Sequence, residues 1–275
     1  MMFNSIQGRL FFKKTQERAF FFFTVYAVLF SNLNLCAQAD YKVNKQDKKA
    51  LENVIVEKFY TATDKDILDT VGGVISKGTI VYRIYVDLLP GYKLESVFGS
   101  ESHPLYIESS TTFHNDTHYG KCAGDKIVSK IINRHNTILD SWLSMGATSD
   151  FYNGVLKTED TDGSIITDRK ELLNVDGQLY GNIYNTVYFG TDLRFFLDSI
   201  NAKRFYTNNG AWANLKGVEG ATAANKILIA QLTTDGDISF ELNVQLGTPT
   251  GGTVQFVARK PEKEEVEGKG LLFKK

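Results

Sequence analysis

Residues 227–258 read ILIAQLTTDGDISFELNVQLGTPTGGTVQFVA and decide the fold class. Between residues 238 and 246, every second residue is apolar and the intervening residues are polar, which indicates a strand with one buried face. Asp235-Gly236 separates this strand from the apolar run 227–233, and Asp-Gly between two apolar runs is a strong hairpin signal. A second turn at 247–252 precedes a third strand at 254–258, so the stretch predicts a three-stranded antiparallel meander.

Much of the remaining chain has the same character. In the run 80–88, alternate residues beginning with Ile80 share one face, while Arg83 and Asp87 lie on the other, which predicts a half-buried strand. Further strands are expected at 54–60, 92–98, 104–108, 139–145, 154–157 and 183–189. Helical periodicity is confined to two short stretches, one after Asp125 and one after Thr191. Asp125 and Thr191 can each serve as the N-cap of a short helix. We therefore expect an all-β protein, an antiparallel β-sandwich with one or two short helices.

The sequence leaves open whether this sandwich is one large unit or two in tandem. Residues 158–169 are acidic and contain Asp162-Gly163, and they interrupt the apolar pattern. A boundary there would separate an N-terminal β-sandwich region, 40–157, from a C-terminal β region, 170–259. A single continuous domain remains the alternative, because β domains of about 200 to 250 residues are common. In the charged tail, 260–275, residues 271–273 are expected to dock as a last edge strand.

The N-terminal 39 residues have the layout of an export signal. Basic residues from Arg9 to Arg18 precede an apolar run at 19–30, which is too short to span a membrane, since a spanning helix needs about 20 residues. Ala37-Gln38-Ala39 then predicts cleavage before Asp40 and secretion to an extracellular or periplasmic compartment. Cys36 suggests a lipoprotein signal instead, but Leu35 stands where a small residue is needed.

Removal of residues 1–39 changes the composition of the chain. The segment carries four of the 31 basic and one of the 32 acidic residues, so the formal charge falls from −1 to −4. This balance disfavours nucleic acid as a partner, and we expect no transmembrane span in the mature chain. Cys122 becomes the only thiol, which excludes an internal disulfide and leaves a free residue or pairing between chains.

The acidic stretch suggests one cofactor, calcium, although none is required. Asp160, Asp162 and Asp168 are the candidate ligands, because Asp-x-Asp-Gly places carboxylate oxygens around a tight turn. However, Thr158 stands where a calcium loop would begin and Arg169 stands at its closing position, so a plain Asp/Gly turn is the alternative. Paired carboxylates also occur in glycoside hydrolases, but spacing along the sequence does not establish their separation in space.

No residue is predicted to be catalytic. The chain has no nucleophile elbow, phosphate-binding loop or Cys-x-x-Cys pair. His114 and His118 flank Asp116 and suggest a zinc site, but the Asn, Asp and Thr between them favour a solvated loop.

Aromatic residues suggest a binding surface for sugars. Tyr206 and Trp212 lie close in sequence to Asn208 and Asn209, and aromatic faces stack on glycans. The alternative is that these rings fill the core, where β-sandwiches commonly bury tryptophan. Trp142, in an apolar strand, is assigned to the core.

Three parts of the chain carry a resemblance to known proteins: residues 81–86 with 89–92, residues 139–146, and residues 209–213 with 228–233. Together they resemble a family of secreted bacterial β-rich modules, found in exported and surface proteins and of uncharacterised function. The resemblance implies export and β architecture, and it brings no catalytic residues. We therefore expect a secreted, non-catalytic protein in adhesion, extracellular matrix or envelope assembly, whose partner is a surface glycan, a protein or a second copy of itself. A carbohydrate-binding or carbohydrate-active protein is the alternative.

Overall fold

The computed structural model describes residues 42–131, 135–159, 183–196 and 202–275, and Val43–Lys275 form one compact unit. Its architecture is all-β, as predicted, and helical structure in the described residues is limited to one turn of α-helix, α1 (Asp64–Ile67), and short 3-10 turns. The strands are β1 (Leu51–Thr61), β2 (Ile80–Leu88), β3 (Lys93–Gly99), β4 (Leu105–Ser109), β5 (Trp142–Leu143), β6 (Val187–Phe189), β7 (Arg204–Thr207), β8 (Gly210–Val218), β9 (Lys226–Thr234), β10 (Ile238–Glu241), β11 (Asn243–Gly247), β12 (Thr253–Val257), β13 (Glu265–Glu267) and β14 (Leu272–Lys274).

The strands form three sheets. The first has the order β1-β2-β9-β5, the second β14-β10-β4-β7, and the third β13-β12-β11-β3-β8-β6. Neighbouring strands are antiparallel except for β12 and β13, which are parallel. The result is the sandwich-like, antiparallel architecture that the alternating sequence pattern indicates.

Each sheet combines strands from both sides of the acidic stretch 158–169. In the first sheet β2 pairs with β9, in the second β4 pairs with β7 and β10, and in the third β3 pairs with β8 and β11. The regions 40–157 and 170–259 are therefore interleaved rather than stacked as tandem domains. Residues 160–169, the core of the predicted connection, lie outside the described residues.

The predicted meander over 227–258 is wrong in its first half. β9 and β10 flank Asp235-Gly236 as expected, but they belong to different sheets and do not pair with each other. Two side-chain hydrogen bonds hold the turn between these strands. Thr234 Oγ1 accepts a hydrogen bond from Gly236 N at 3.0 Å, and Thr111 Oγ1 donates to Asp235 Oδ1 at 2.6 Å. The Asp-Gly turn is thus a corner between sheets. The second turn does join a hairpin, β11–β12, as predicted.

A second corner separates β10 from β11 within the predicted strand 238–246. Leu242 lies between the two strands, and its backbone N–H donates to the carbonyl of Leu271, the residue before β14, at 2.9 Å. The alternation nevertheless continues through the break, since all five apolar residues of the inward set are at most 1% exposed: Ile238, Phe240, Leu242, Val244 and Leu246. The alternation of apolar and polar residues therefore predicted the buried face correctly. It did not predict that β10 and β11 belong to different sheets.

The first sheet is covered on both faces, which corrects the prediction of a half-buried β2. Tyr82, Ile84 and Val86 enter the main core, which all three sheets share. Val81 and Tyr85, on the opposite face, enter a second cluster with Trp142 and other buried residues of the segment 123–156.

Arg83 lies on that second face and is 1% exposed. Its guanidinium carbon lies 3.6 Å from the centroid of the Phe59 ring, and its Nε donates to Gln231 Oε1 at 3.0 Å. A charged side chain is tolerated there because its polar and π partners replace water.

Several predicted elements are shorter in the structure. The strand expected at 139–145 is reduced to β5, and residues 154–157 form no strand. The expected helices after Asp125 and Thr191 are represented by the 3-10 turns Gly124–Lys126 and Leu193–Phe196. The other 3-10 turns are Asp47–Lys49, Thr137–Leu139 and Lys157–Glu159.

At the C-terminus, β14 pairs with β10 as the edge strand of the second sheet. Within the part of the chain that the structure describes, no helix has the length and apolar character needed to cross a bilayer. The predicted export signal, residues 1–39, lies outside that part.

Candidate functional site

The outer face of the second sheet presents paired aromatic and charged side chains. Along β4, β7 and β10 the residues alternate between buried and accessible, so one face packs on the core and the other meets solvent. The strand register aligns the accessible residues into two rows, one of Leu272, Glu241, Tyr106 and Tyr206, and one of Lys274, Ser239, Glu108 and Arg204. We call this surface the tyrosine face.

Tyr106 and Tyr206 lie directly opposite each other on β4 and β7. Tyr206 is 51% exposed and Tyr106 is half-buried. The guanidinium carbon of Arg204 lies 4.9 Å from the Tyr106 ring centroid and 5.5 Å from the Tyr206 centroid, so one cation interacts with both rings. Arg204 Nε also lies 3.7 Å from Glu108 Oε2, which restrains the guanidinium beside the rings.

Trp212 and Tyr206, which were predicted to form a sugar-binding surface together, lie on different faces of the fold. Trp212 is fully buried, and its ring centroid lies 6.2 Å from that of Phe205, on the inward face of β7. Tyr206, the next residue, points outward because successive side chains of a strand alternate between faces. Trp212 therefore belongs to the core, which was the alternative interpretation, and Tyr206 has Tyr106 as its exposed neighbour.

The histidine-containing segment is a loop held by buried carboxylates. Asp116 Oδ1 accepts hydrogen bonds from the backbone N–H groups of His118 and Tyr119 at 2.8 and 2.9 Å, and its Oδ2 accepts from Thr137 Oγ1 at 2.7 Å. Both carboxylate oxygens of Asp116 therefore take part in fixing the geometry of the loop. No group of three or more His, Cys, Asp or Glu side chains suited to a metal occurs in the described residues.

His114 is the titratable residue of this loop whose environment is most altered. Burial lowers its pKa from 6.5 to about 4, and the nearby Asp116 carboxylate opposes this shift. Its backbone N–H donates to Thr233 O at 2.7 Å and its carbonyl accepts from Ser141 Oγ at 2.6 Å, while Nε2 is buried without a partner. The imidazole is therefore neutral at pH 7.

The proposed calcium ligands Asp160, Asp162 and Asp168 all lie outside the described residues. Glu159, just before them, forms an ion pair with Lys226 and accepts a hydrogen bond from Thr222 Oγ1 at 2.9 Å.

Cys122 is a free, half-buried cysteine, and burial raises the pKa of its thiol. A raised pKa reduces the thiolate fraction, which makes the residue a poor nucleophile.

Sequence reasoning identified Tyr206 but missed Tyr106 and Arg204. The alternation in LYIES and RFYT indicates which side chains face outward on each strand. It does not indicate that β4 and β7, separated by almost a hundred residues, are neighbours.

Comparisons with known proteins yield no relative: no family model, no curated protein and no solved structure matches this chain.

Proposed function

We propose that this protein is secreted and non-catalytic and that it acts in adhesion, extracellular matrix or envelope assembly, with the tyrosine face as its binding surface. The observation that carries the proposal is the Tyr106–Arg204–Tyr206 arrangement on an accessible sheet face. Tyrosine and arginine are enriched at binding surfaces and in their energetic hot spots. Both contribute large contact areas, and each retains a polar end that hydrogen-bonds to a partner.

The location of the face also supports a binding role. Tyr106 and Tyr206 are fixed by strand pairing and by the Phe205–Phe240 layer beneath them, so binding would require little reordering. An accessible aromatic pair contributes little to the core, because Phe205 and Ile107 already fill the inner face.

A surface-binding assay with matched variants tests the proposal. Retention of the purified protein on envelope preparations of the producing cells is compared for the wild type, Tyr106→Ala, Tyr206→Ala and Phe151→Ala. Phe151 is 46% exposed and lies in the segment between Ala147 and Asn153, which form a bridge with each other and contribute no strand to the second sheet, so it controls for loss of any half-exposed aromatic. We expect both tyrosine variants to lower retention by about tenfold, as for a hot-spot residue, and Phe151→Ala to leave it unchanged. Equal retention of all four proteins would contradict the proposal.

Carbohydrate recognition is the second candidate, and the spacing of the two tyrosines favours it. Residues directly opposite on antiparallel strands have Cβ atoms about 4.5–5.5 Å apart, which gives a continuous aromatic surface for a sugar ring. Glu108, Glu241 and Arg204 beside the rings supply acceptors and donors for hydroxyl groups.

Periodate treatment of the envelope separates the two candidates. Periodate cleaves vicinal diols of sugars and spares most protein surfaces. If retention is lost after periodate and a glycan array shows binding that Tyr206→Ala abolishes, the ligand is a glycan. If retention survives periodate and is lost after protease, the partner is a protein.

Two further parts of the proposal have direct tests. N-terminal sequencing of the exported protein is expected to give Asp40 as the first residue, and an intact Met1 would contradict secretion through this signal. Calorimetric titration with calcium tests the site at Asp160, Asp162 and Asp168, and the absence of both heat and a thermal shift would eliminate it.

A further inference from the structure

A cleft of about 140 Å³ lies where three segments meet, and it shares no lining residue with the tyrosine face. Residues 73–79 before β2, residues 112–115 after β4 and the end of β9 with its turn form its walls. Cavities of about 150 Å³ accommodate a molecule the size of benzene, so the cleft suits a ligand of about six non-hydrogen atoms. Val74, at 78% exposure, supplies an accessible aliphatic surface at its mouth.

Hydroxyl groups in the cleft are available to a ligand. Thr79 is only 4% exposed, and none of the hydrogen bonds among the described residues involves its side chain. Thr112 and Ser76 also line the cleft, and the Thr112 carbonyl accepts a hydrogen bond from Thr234 Oγ1 at 2.7 Å. Because these hydroxyl groups reach solvent in the cleft, a ligand can take the place of water as their hydrogen-bond partner.

Asp235 places a carboxylate in the cleft, and no lysine or arginine is among the described residues that line it. Asp235 is the acidic residue of the lining, and the other lining residues have uncharged side chains apart from His114, whose imidazole is neutral at pH 7. One Asp235 oxygen accepts from Thr111 Oγ1, and no ion pair among the described residues includes Asp235. Asp237, two residues on, differs in this respect, because its Oδ1 lies 3.3 Å from Lys275 Nζ.

We propose that this cleft binds a small ligand that carries a primary ammonium group on a short aliphatic chain. The ammonium group donates three hydrogen bonds, for which the Asp235 carboxylate and the lining hydroxyl oxygens are acceptors. The aliphatic chain contacts Val74. An anionic ligand is disfavoured because the described residues of the lining include the Asp235 carboxylate and no lysine or arginine.

Titrations of the ¹⁵N-labelled protein with n-butylammonium, followed by NMR, test the proposal. We expect shifts concentrated at the amides of Gly73, Thr112 and Asn115, with a Kd on the order of 1 mM, as a ligand of this size allows. n-Butanol, which has the same chain without the charge, and butyrate, which has the opposite charge, are expected to bind at least about fivefold more weakly.

Two pairs of variants make the test specific. Asp235→Asn is expected to weaken n-butylammonium binding at least about fivefold, while the neighbouring control Asp237→Asn binds as the wild type does. Thr79→Val removes the hydroxyl with little change of shape, and it is expected to weaken binding, whereas Thr222→Val, outside the cleft, is not. An unchanged amide spectrum elsewhere verifies folding. The proposal is overturned if n-butylammonium causes no shifts at the cleft, if butanol binds equally well, or if Asp235→Asn binds like the wild type.

Discussion

Asp116 and Asp140 organise the loop 113–121 as acceptors of backbone hydrogen bonds. Asp140 is fully buried and accepts from the N–H groups of Asp116 and Lys121 at 2.8 and 2.9 Å. Burial raises the pKa of Asp140, and its backbone donors act in the opposite direction. These acids therefore hold the loop that follows His114, and Gly72 packs closely against the Asp116 carboxylate.

Gly72 and Gly78 provide a matched pair of substitutions. Both have positive φ, +84° and +87°, but an added Cβ at Gly72 would collide with the Asp116 carboxylate, while one at Gly78 has nothing within 4 Å. We expect Gly78→Ala to cost about 1–2 kcal/mol in unfolding free energy, from backbone strain alone. Gly72→Ala is expected to cost more, as measured by urea denaturation. Equal losses would show that the Asp116 carboxylate accommodates the added Cβ at Gly72 without cost.

The altered pKa of His114 predicts a pH dependence of stability. The folded-state pKa, about 4, is below the value of 6.5 expected for the unfolded chain, so the unfolded state binds more protons between these values. Stability is therefore lost as the pH falls from 6.5 towards 4, by about 3 kcal/mol from this residue. In urea denaturation at pH 7 and pH 4.5, His114→Gln should lose less stability on acidification than the wild type does.

His118→Gln is the control for this measurement. His118 belongs to the same loop but is exposed, so its replacement should leave the wild-type pH dependence unchanged. If His114→Gln and the wild type lose equal stability, the imidazole of His114 is not buried as described.

Among the elements, β14 illustrates how a short strand is held at a sheet edge. It has three residues, its one partner among the described strands is β10, and Phe273 stacks on Phe240 with ring centroids 5.2 Å apart. Just before it, Leu271 is fully buried in the main core, and its carbonyl accepts from Leu242 N at 2.9 Å. The strand thus depends on an anchor outside its own hydrogen-bond ladder.

Two adjacent leucines test this anchor. Leu271→Ala is expected to reduce the unfolding free energy by about 2–5 kcal/mol, the usual cost of truncating a buried leucine. Leu272 is 45% exposed on the tyrosine face, and Leu272→Ala should change stability by no more than about 0.5 kcal/mol. Chemical denaturation of both variants measures the difference, and similar values would mean that the C-terminal segment detaches from the core.

At the scale of the whole molecule, the interleaved sheets make residues 43–275 one structural unit. β2 is central in its sheet because it has β1 on one side and β9 on the other, and β9 lies more than a hundred residues later in the chain. Neither half of the chain can complete a sheet without the other.

A fragment experiment follows from this arrangement. The fragment 40–157, which contains the N-terminal region expected from sequence, should remain unfolded, with poor amide dispersion in NMR spectra and no cooperative thermal transition. Residues 40–275 should unfold in a single transition. A folded, cooperative fragment would show that the acidic stretch 158–169 is a true domain boundary.

The sequence alone determined the all-β class, the buried faces of β10, β11 and β12, and the burial of Trp142, because alternation and local turn signals are properties of neighbouring residues. Only the tertiary structure decided that Asp235-Gly236 is a corner between sheets and that Trp212 is buried. It also placed Tyr106 beside Tyr206 and formed the cleft at His114 and Asp235. These features depend on which strands pair across long stretches of chain, and period-two patterns are the same for every pairing that buries the same face.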